Sequence, residues 1–156
     1  MITALDTNIL LDVLIPDESH FQKSKKLLDE HFEKGQLVIS EIVYAELASQ
    51  FPAEKDIRAF LNDTGIRLVH SNEKALYMAG ERWKHFIKNR DYKLQCSNCG
   101  NRITITCSEC GQNVYVRQHI ISDFVIAAHA IIHANVLLTR DRGFYRTHFK
   151  GLKVVG

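Results

Sequence analysis

The sequence predicts an α/β fold: a mainly parallel sheet with helices over both faces. Two observations carry this. Short apolar runs of strand length alternate with longer runs in which apolar residues recur at helical spacing, the pattern of successive strand–helix–strand units. Glycine, proline and serine fall between these runs, where helices stop and start. The 156 residues, 46% apolar and 24% charged, suffice for one domain with a substantial core, so residues 1–156 read as a single unit. No stretch of about 18 or more apolar residues occurs, so no membrane span is expected. No basic and apolar leader with a cleavage site opens the chain, which makes the cytoplasm the expected compartment.

Taken in order, Met1 to Leu5 is a short buried strand. Thr7 to Leu14 follows as a helix, with Pro16 just past its end. From His20 to Phe32 the apolar residues Phe21, Leu27, Leu28 and Phe32 keep helical spacing, and Gly35 is a stop signal. Leu37 to Ile39 is the second strand. Ser40 is a natural N-cap for a helix carrying Ile42, Val43, Ala45, Glu46 and Leu47. Pro52 is tolerated near the start of the next helix, Ala53 to Asn62. Ile66 to Val69 is the third strand, and Asn72 to Asn89 a long amphipathic helix. A cysteine-rich segment then breaks the alternation. Beyond it, a helix runs from about Ser122 to His133. Asn135 to Thr139 is the fourth strand, Phe144 to Phe149 a short helix, and Leu152 to Val155 the last strand.

Four acidic residues sit where a carboxylate has little structural reason to be. Asp6 ends the first apolar run, Glu46 lies inside Ile42–Ala48, Asp123 interrupts Ile120–Ala128, and Asp141 follows Val136–Arg140. Carboxylates set against apolar elements are costly unless a cation or several hydrogen bonds compensate them. In a parallel sheet, ligands collect outside the carboxyl ends of the strands. Asp6, Glu46 and Asp141 all follow strands, and Asp123 would reach the same edge from the start of its helix. Such a cluster of hard oxygen donors suits Mg²⁺ or Mn²⁺ and points to metal-dependent phosphoryl chemistry. Taken singly, Asp123 and Asp141 also read as helix N-caps. Asp12, mid-helix, reads equally as solvent-facing or functional.

The segments Leu5–Asp12, Ala45–Leu47, Ser122–Ala130 and Leu138–Tyr145 together resemble the PIN-domain nucleases. Within that family, size and motifs are most similar to VapC-type toxins of toxin–antitoxin pairs. The resemblance implies a three-layer α/β/α sandwich around a five-stranded parallel sheet. It also implies a Mg²⁺- or Mn²⁺-dependent endoribonuclease, an RNA substrate, an antitoxin partner and a homodimer. Carried over by position, Asp6, Glu46, Asp123 and Asp141 form the catalytic quartet, with Asp6 and Asp123 as holders of the ion. Thr139 matches the hydroxyl residue two before the last acid, and Thr7 or Asn8 the small polar position after the first. Thr7, Asn8, Arg117, Arg140 and Arg142 are the expected substrate contacts. Two further readings stay open: an RNA-processing nuclease of this family without an antitoxin, and a module that binds RNA through a zinc knuckle without cutting it.

All four cysteines lie in Cys96-Ser97-Asn98-Cys99-Gly100 and Cys107-Ser108-Glu109-Cys110-Gly111. Two CxxCG knuckles with seven residues between Cys99 and Cys107 suit a tetrahedral, structural Zn²⁺. Arg102 to Thr106 alternates like a strand, so residues 94–114 read as an inserted zinc-binding hairpin. Two basic stretches, Arg82–Lys93 and Arg140–Arg146, interleave aromatics with cations, and phosphate is the natural partner of both. A solvated helix face is the alternative for the first. His129 and His133 have i, i+4 spacing but lack the glutamate of an HExxH site, so they are expected at the surface or an interface. His119 and Arg117 precede Asp123 and are placed to touch RNA.

Overall fold

A computed structural model describes residues 1–15, 19–89, 93–95, 102–114 and 121–156. The alternation seen in the sequence is present. Strand β1 (Ile2–Leu5) leads into helices α1 (Thr7–Leu14) and α2 (Phe21–Glu33), then β2 (Gln36–Ile39). Helices α3 (Glu41–Ala48) and α4 (Glu54–Thr64) precede β3 (Arg67–Leu68) and the long helix α5 (Glu73–Asn89). Four short strands follow: β4 (Leu94–Gln95), β5 (Arg102–Ile103), β6 (Ile105–Thr106) and β7 (Asn113–Val114). Helix α6 (Ile121–His133), β8 (Val136–Leu138), α7 (Arg142–His148) and β9 (Val154–Val155) complete the chain.

The main sheet has five parallel strands in the order β3-β2-β1-β8-β9, flanked by helices. Register is set by pairs such as Ala4 with Val38 and Leu5 with Leu138. The chain moves outward from β1 to β2 and β3, then returns to place β8 on the other side of β1. The order therefore reverses at β1, and a crevice at the carboxyl ends of β1 and β8 is the expected ligand site. Strands β1, β2 and β8 are almost wholly buried, which is why they read as apolar runs rather than alternating ones.

Local sequence explains the punctuation. Gly35 has φ +146, and a Cβ there would collide with the Met1 carbonyl; that carbonyl accepts the Gln36 N–H and starts the β1–β2 ladder. Gly65 ends α4 in the left-handed conformation, φ 65. Ser40 caps α3 as expected, its Oγ accepting the Val43 N–H at 3.3 Å. Phe124, fully buried, packs its ring against Trp83, Phe86, Phe144 and Phe149 at centroid distances of 5.2 to 5.6 Å. This aromatic cluster seats the first turn of α6 against α5 and α7. Trp83 and Phe86, read in the sequence as aromatics within a basic stretch, are thus half-buried and pack against the core.

The segment Arg102–Thr106, expected as one strand, is split at Thr104. Arg102–Ile103 pairs antiparallel with Leu94–Gln95, and Ile105–Thr106 with Asn113–Val114. Ile103 and Ile105 are both exposed, so no buried face holds the two halves in a single ladder. Cys96, Cys99, Arg117 and His119 lie outside the described residues, as does Pro16. Among the described residues no helix is long and apolar enough to cross a membrane.

Candidate active site

The carboxyl ends of β1 and β8, with α3 and α6, wall an open cleft of about 440 Å³. Asp6, Glu46, Asp123 and Asp141 all line it. Each arrives from a different element. Asp6 follows β1 directly and caps α1, its Oδ1 accepting the Thr7 N–H at 2.8 Å. Glu46 projects from α3, and Asp123 from the first turn of α6. Asp141 caps α7, its Oδ1 accepting the Phe144 N–H at 3.3 Å. Of the two acids also expected as N-caps, Asp141 is one and faces the cleft as well, whereas Asp123 lies within the first turn of α6 and is not its cap.

Asp6 is the most buried of the four, 7% exposed, and the most heavily hydrogen-bonded. Its Oδ2 accepts the Thr139 hydroxyl at 2.6 Å, the Asn8 amide at 2.8 Å and the Tyr145 hydroxyl at 3.3 Å. Thr139 Oγ in turn accepts the Asp141 N–H at 3.0 Å and the Asn8 amide at 3.1 Å. Asn8 Oδ1 accepts the Arg140 N–H at 3.1 Å. A single network thus fixes the loop after β8 against the loop after β1. The Thr7 hydroxyl donates to Glu46 Oε2 and ties α1 to α3.

Burial dominates the electrostatics of this network. It pushes the Asp6 carboxyl up to about 6 from 3.8, with hydrogen bonds from Thr139 and Thr7 opposing, and the charges of Asp123 and Glu46 adding to the rise. Burial, then the charges of Asp6 and Asp123, hold the Tyr145 hydroxyl far above its ordinary range, so it remains a donor. Neighbouring negative charges with incomplete solvation are the setting in which a cation gains most from binding. The donor set, all carboxylate and hydroxyl oxygen, fits a hard divalent ion such as Mg²⁺ or Mn²⁺. Among the described residues no three acidic, histidine or cysteine side chains form a ready-made cage; the carboxylates line the cleft without closing on one point.

The remaining sequence expectations sort by what each side chain touches. Thr7 and Asn8, expected as substrate contacts, line the cleft, and their polar groups are engaged with Glu46, Asp6, Thr139 and Arg140. Arg140 lines the cleft, and its Nη2 lies 3.3 Å from Asp12 Oδ1. Asp12 is buried and also accepts the Ser24 hydroxyl at 2.6 Å, so it faces neither solvent nor the acids. Arg142 does not line this cleft. His129, expected at the surface or an interface, is 1% exposed within the chain; its Nε2 bonds the Val69 carbonyl at 2.8 Å and its ring lies 4.9 Å from that of His133. Helical spacing alone gave no sign of the carbonyl that accommodates it. Sequence reasoning missed Tyr145, Ser49 and Gln50 as cleft residues. For Tyr145 a signal was present: its position four residues after Asp141 puts it on the same face of α7.

Of the expected zinc ligands, Cys107 and Cys110 are described, both as free thiols. Cys107 starts a tight turn closed by Gly111 N–H to Cys107 O at 2.9 Å, with Gly111 at φ 68. Hydrogen bonds from the Cys110 and Glu109 backbones hold the Cys107 thiol below its usual range.

Comparison with known proteins adds three findings. The family model described as PIN domain matches residues 3–93. That span includes Asp6 and Glu46 but stops before Asp123 and Asp141. No curated protein sequence matches the chain. Among solved structures, the chain is similar to VapBC-1 from nontypeable Haemophilus influenzae, with 23% identity, TM-score 0.61, and 99% of this chain and 97% of that chain covered. It is also similar to VapBC2 from Rickettsia felis bound to a DNA fragment from the promoter, with 21% identity, TM-score 0.58, and 99% and 98% covered. A toxin–antitoxin complex from Klebsiella pneumoniae matches at 19% identity, TM-score 0.58, with 99% and 96% covered. At these identities the likeness is one of fold.

Proposed function

The chain belongs to the PIN domain family, and from that premise we propose that it is a Mg²⁺- or Mn²⁺-dependent endoribonuclease, the toxin of a toxin–antitoxin pair. The observation that carries the nuclease reading is the convergence of Asp6, Glu46, Asp123 and Asp141, from four separate elements, on one cleft. In this reading Asp6 and Asp123 hold the ion, while Glu46 and Asp141 complete its acidic surround. Thr139, Asn8 and Tyr145 fix the orientation of Asp6, so that it meets the ion without rearranging. Thr7 does the same for Glu46. A bound divalent ion would lower the pKa of an attacking water and offset charge growing on the phosphoryl oxygens. Arg140, held by Asp12, presents a cation at the rim for the phosphodiester.

The test is cleavage of single-stranded RNA by purified protein with Mg²⁺ or Mn²⁺. Cleavage should vanish in excess EDTA and return when the ion is restored. Full activity in chelator would overturn the mechanism. The toxin assignment has its support in the fold, which is shared with complexes of that kind. It predicts that expression arrests growth of a cytoplasmic host and that the product of a small adjacent reading frame binds the chain and relieves the arrest. A homodimer is part of the same reading, checked by sedimentation.

We also assign a structural Zn²⁺ to Cys96, Cys99, Cys107 and Cys110 within the 94–114 insert. Support comes from the Cys107 turn, whose backbone N–H groups face its sulfur as a knuckle requires. Elemental analysis should find one zinc per chain, unchanged in Asp6→Asn. Its absence from protein purified without chelator would remove the assignment.

A further inference from the structure

A second, smaller cleft of about 170 Å³ adjoins the acidic one, and Arg140 lines both. The charged side chains that line it, Lys23, Arg140 and Arg142, are of the opposite sign. His20 and Lys23 come from the start of α2, Arg142 from the first turn of α7, and Gly156 closes it. Ile9 and Leu27 supply its apolar contacts. One buried anion borders the cleft: Asp12, 3% exposed, bonds both Arg140 and Ser24. That pair orients the Arg140 guanidinium in the wall between the clefts and leaves Lys23 and Arg142, both exposed, to face an incoming anion. A phosphodiester chain bound with one phosphate at the carboxylates would carry its next phosphates along this wall.

Resting on the nuclease reading, we infer that the basic cleft of His20, Lys23, Arg140 and Arg142 is a backbone-phosphate subsite for the nucleotide next to the scissile bond. Its ligand class is the phosphodiester of single-stranded RNA, taken by charge rather than by base. Such contacts set the position of the strand without reading its sequence. They also release counterions, so each phosphate contact steepens the salt dependence of single-strand binding by about 0.7 in log K against log salt concentration.

The experiment uses the full chain, a fluorescein-labelled ten-nucleotide oligouridylate, and Ca²⁺ in place of Mg²⁺, with anisotropy followed across a range of NaCl. The double variant Lys23→Ala/Arg142→Ala should bind about tenfold more weakly at low salt, with a slope shallower by roughly one. Lys55→Ala/Arg58→Ala removes equal charge from α4, whose residues line neither cleft, and should stay within about twofold of the unaltered chain. Lys23→Arg should keep the steep slope. Losses no larger than those of the α4 variant, with an unchanged slope, would overturn the subsite while leaving the nuclease reading in place. No binding by the unaltered chain would overturn the nucleic-acid reading of both clefts.

Discussion

The two clefts share a wall and differ in almost everything else. The acidic one gathers four carboxylates from residues as far apart as Asp6 and Asp141, and its key group is buried deeply enough to titrate near 6. The basic one is smaller, and its three cations, Lys23, Arg140 and Arg142, are exposed. Holding like charges in a poorly solvated crevice destabilises the metal-free chain, so such a cluster persists where a ligand of opposite charge compensates it. Holding cations at a surface costs almost nothing. The difference teaches where evidence of function accumulates: burial of a charge is informative, and exposure of one is not. A reader of the sequence meets Asp6 as an anomaly and Lys23 as an ordinary helix residue.

The most severe way to test the acidic side is Asp6→Asn. Cleavage of RNA should fall by more than about a hundredfold, because the ion loses a ligand and its surround loses a charge. Stability should move the other way. The folded chain keeps the Asp6 proton up to about pH 6, whereas the unfolded chain gives it up near 3.8. Folding therefore loses stability as pH rises between these values and stays penalised above 6. The variant, without metal, should match or exceed the unaltered chain by up to about 1 kcal/mol at pH 7 to 8, since amide nitrogen cannot accept all the bonds that Asp6 accepts. A large loss in a thermal melt would instead make Asp6 a structural residue.

The wall itself is next. Asp12→Ala leaves Arg140 and Ser24 without their buried partner and should cost about 2 kcal/mol in urea denaturation, with RNA binding weakened as well. Unchanged stability would mean that the ion pair does not hold the wall. Acidification separates the two clefts more gently. Below pH 6 apparent affinity for Mg²⁺ should fall by about tenfold per pH unit as the proton on Asp6 competes, while RNA binding in Ca²⁺-free buffer should not weaken, because Asp6 does not line the basic cleft. Calorimetry and anisotropy at pH 5.5 and 7.5 distinguish the two. The smallest effect is expected of Tyr145→Phe. Losing one donor raises the Asp6 pKa slightly further, so cleavage should drop a few-fold near pH 6 and less at pH 8, the loss of a single hydrogen bond of about 1 kcal/mol. A pH-independent drop would point to packing.

Much of the fold was legible because its signals are local. The period of β1, β2 and β8 as continuous apolar runs, the Ser40 cap and the Gly35 stop each act within a few residues, and the observed elements lie within two or three residues of the expected ones. The acids were legible because each breaks such a run. What escaped was set by distant partners. Nothing near His129 in sequence announces the Val69 carbonyl that lets it be buried, 60 residues away. Asp12 looked ambiguous because Ser24 and Arg140 come from other elements. Tyr145 was read as part of a basic stretch, although its ring is core and only its hydroxyl reaches Asp6. The packing of Trp83 and Phe86 escaped for the same reason: aromatics beside cations give no sign of the Phe124 ring they meet.

The strand order has a consequence in time. Strand β1 is the first to be synthesised and the central one in the sheet, and its neighbour β8 is separated from it by more than 130 residues. The Asp6 N–H is bonded to the Leu138 carbonyl, and its carboxylate to Thr139 and Tyr145. A nascent chain therefore carries Asp6 without the Thr139 and Tyr145 hydroxyls that help orient it until the segment around β8 and α7 is made. If the carboxylates work as proposed, the protein is harmless while it is being made, amid the RNA of the ribosome that makes it, and its activity begins only when residues 136 to 145 emerge and close the sheet. Chains truncated before Val136 should lack cleavage activity that chains extending through Gly156 possess.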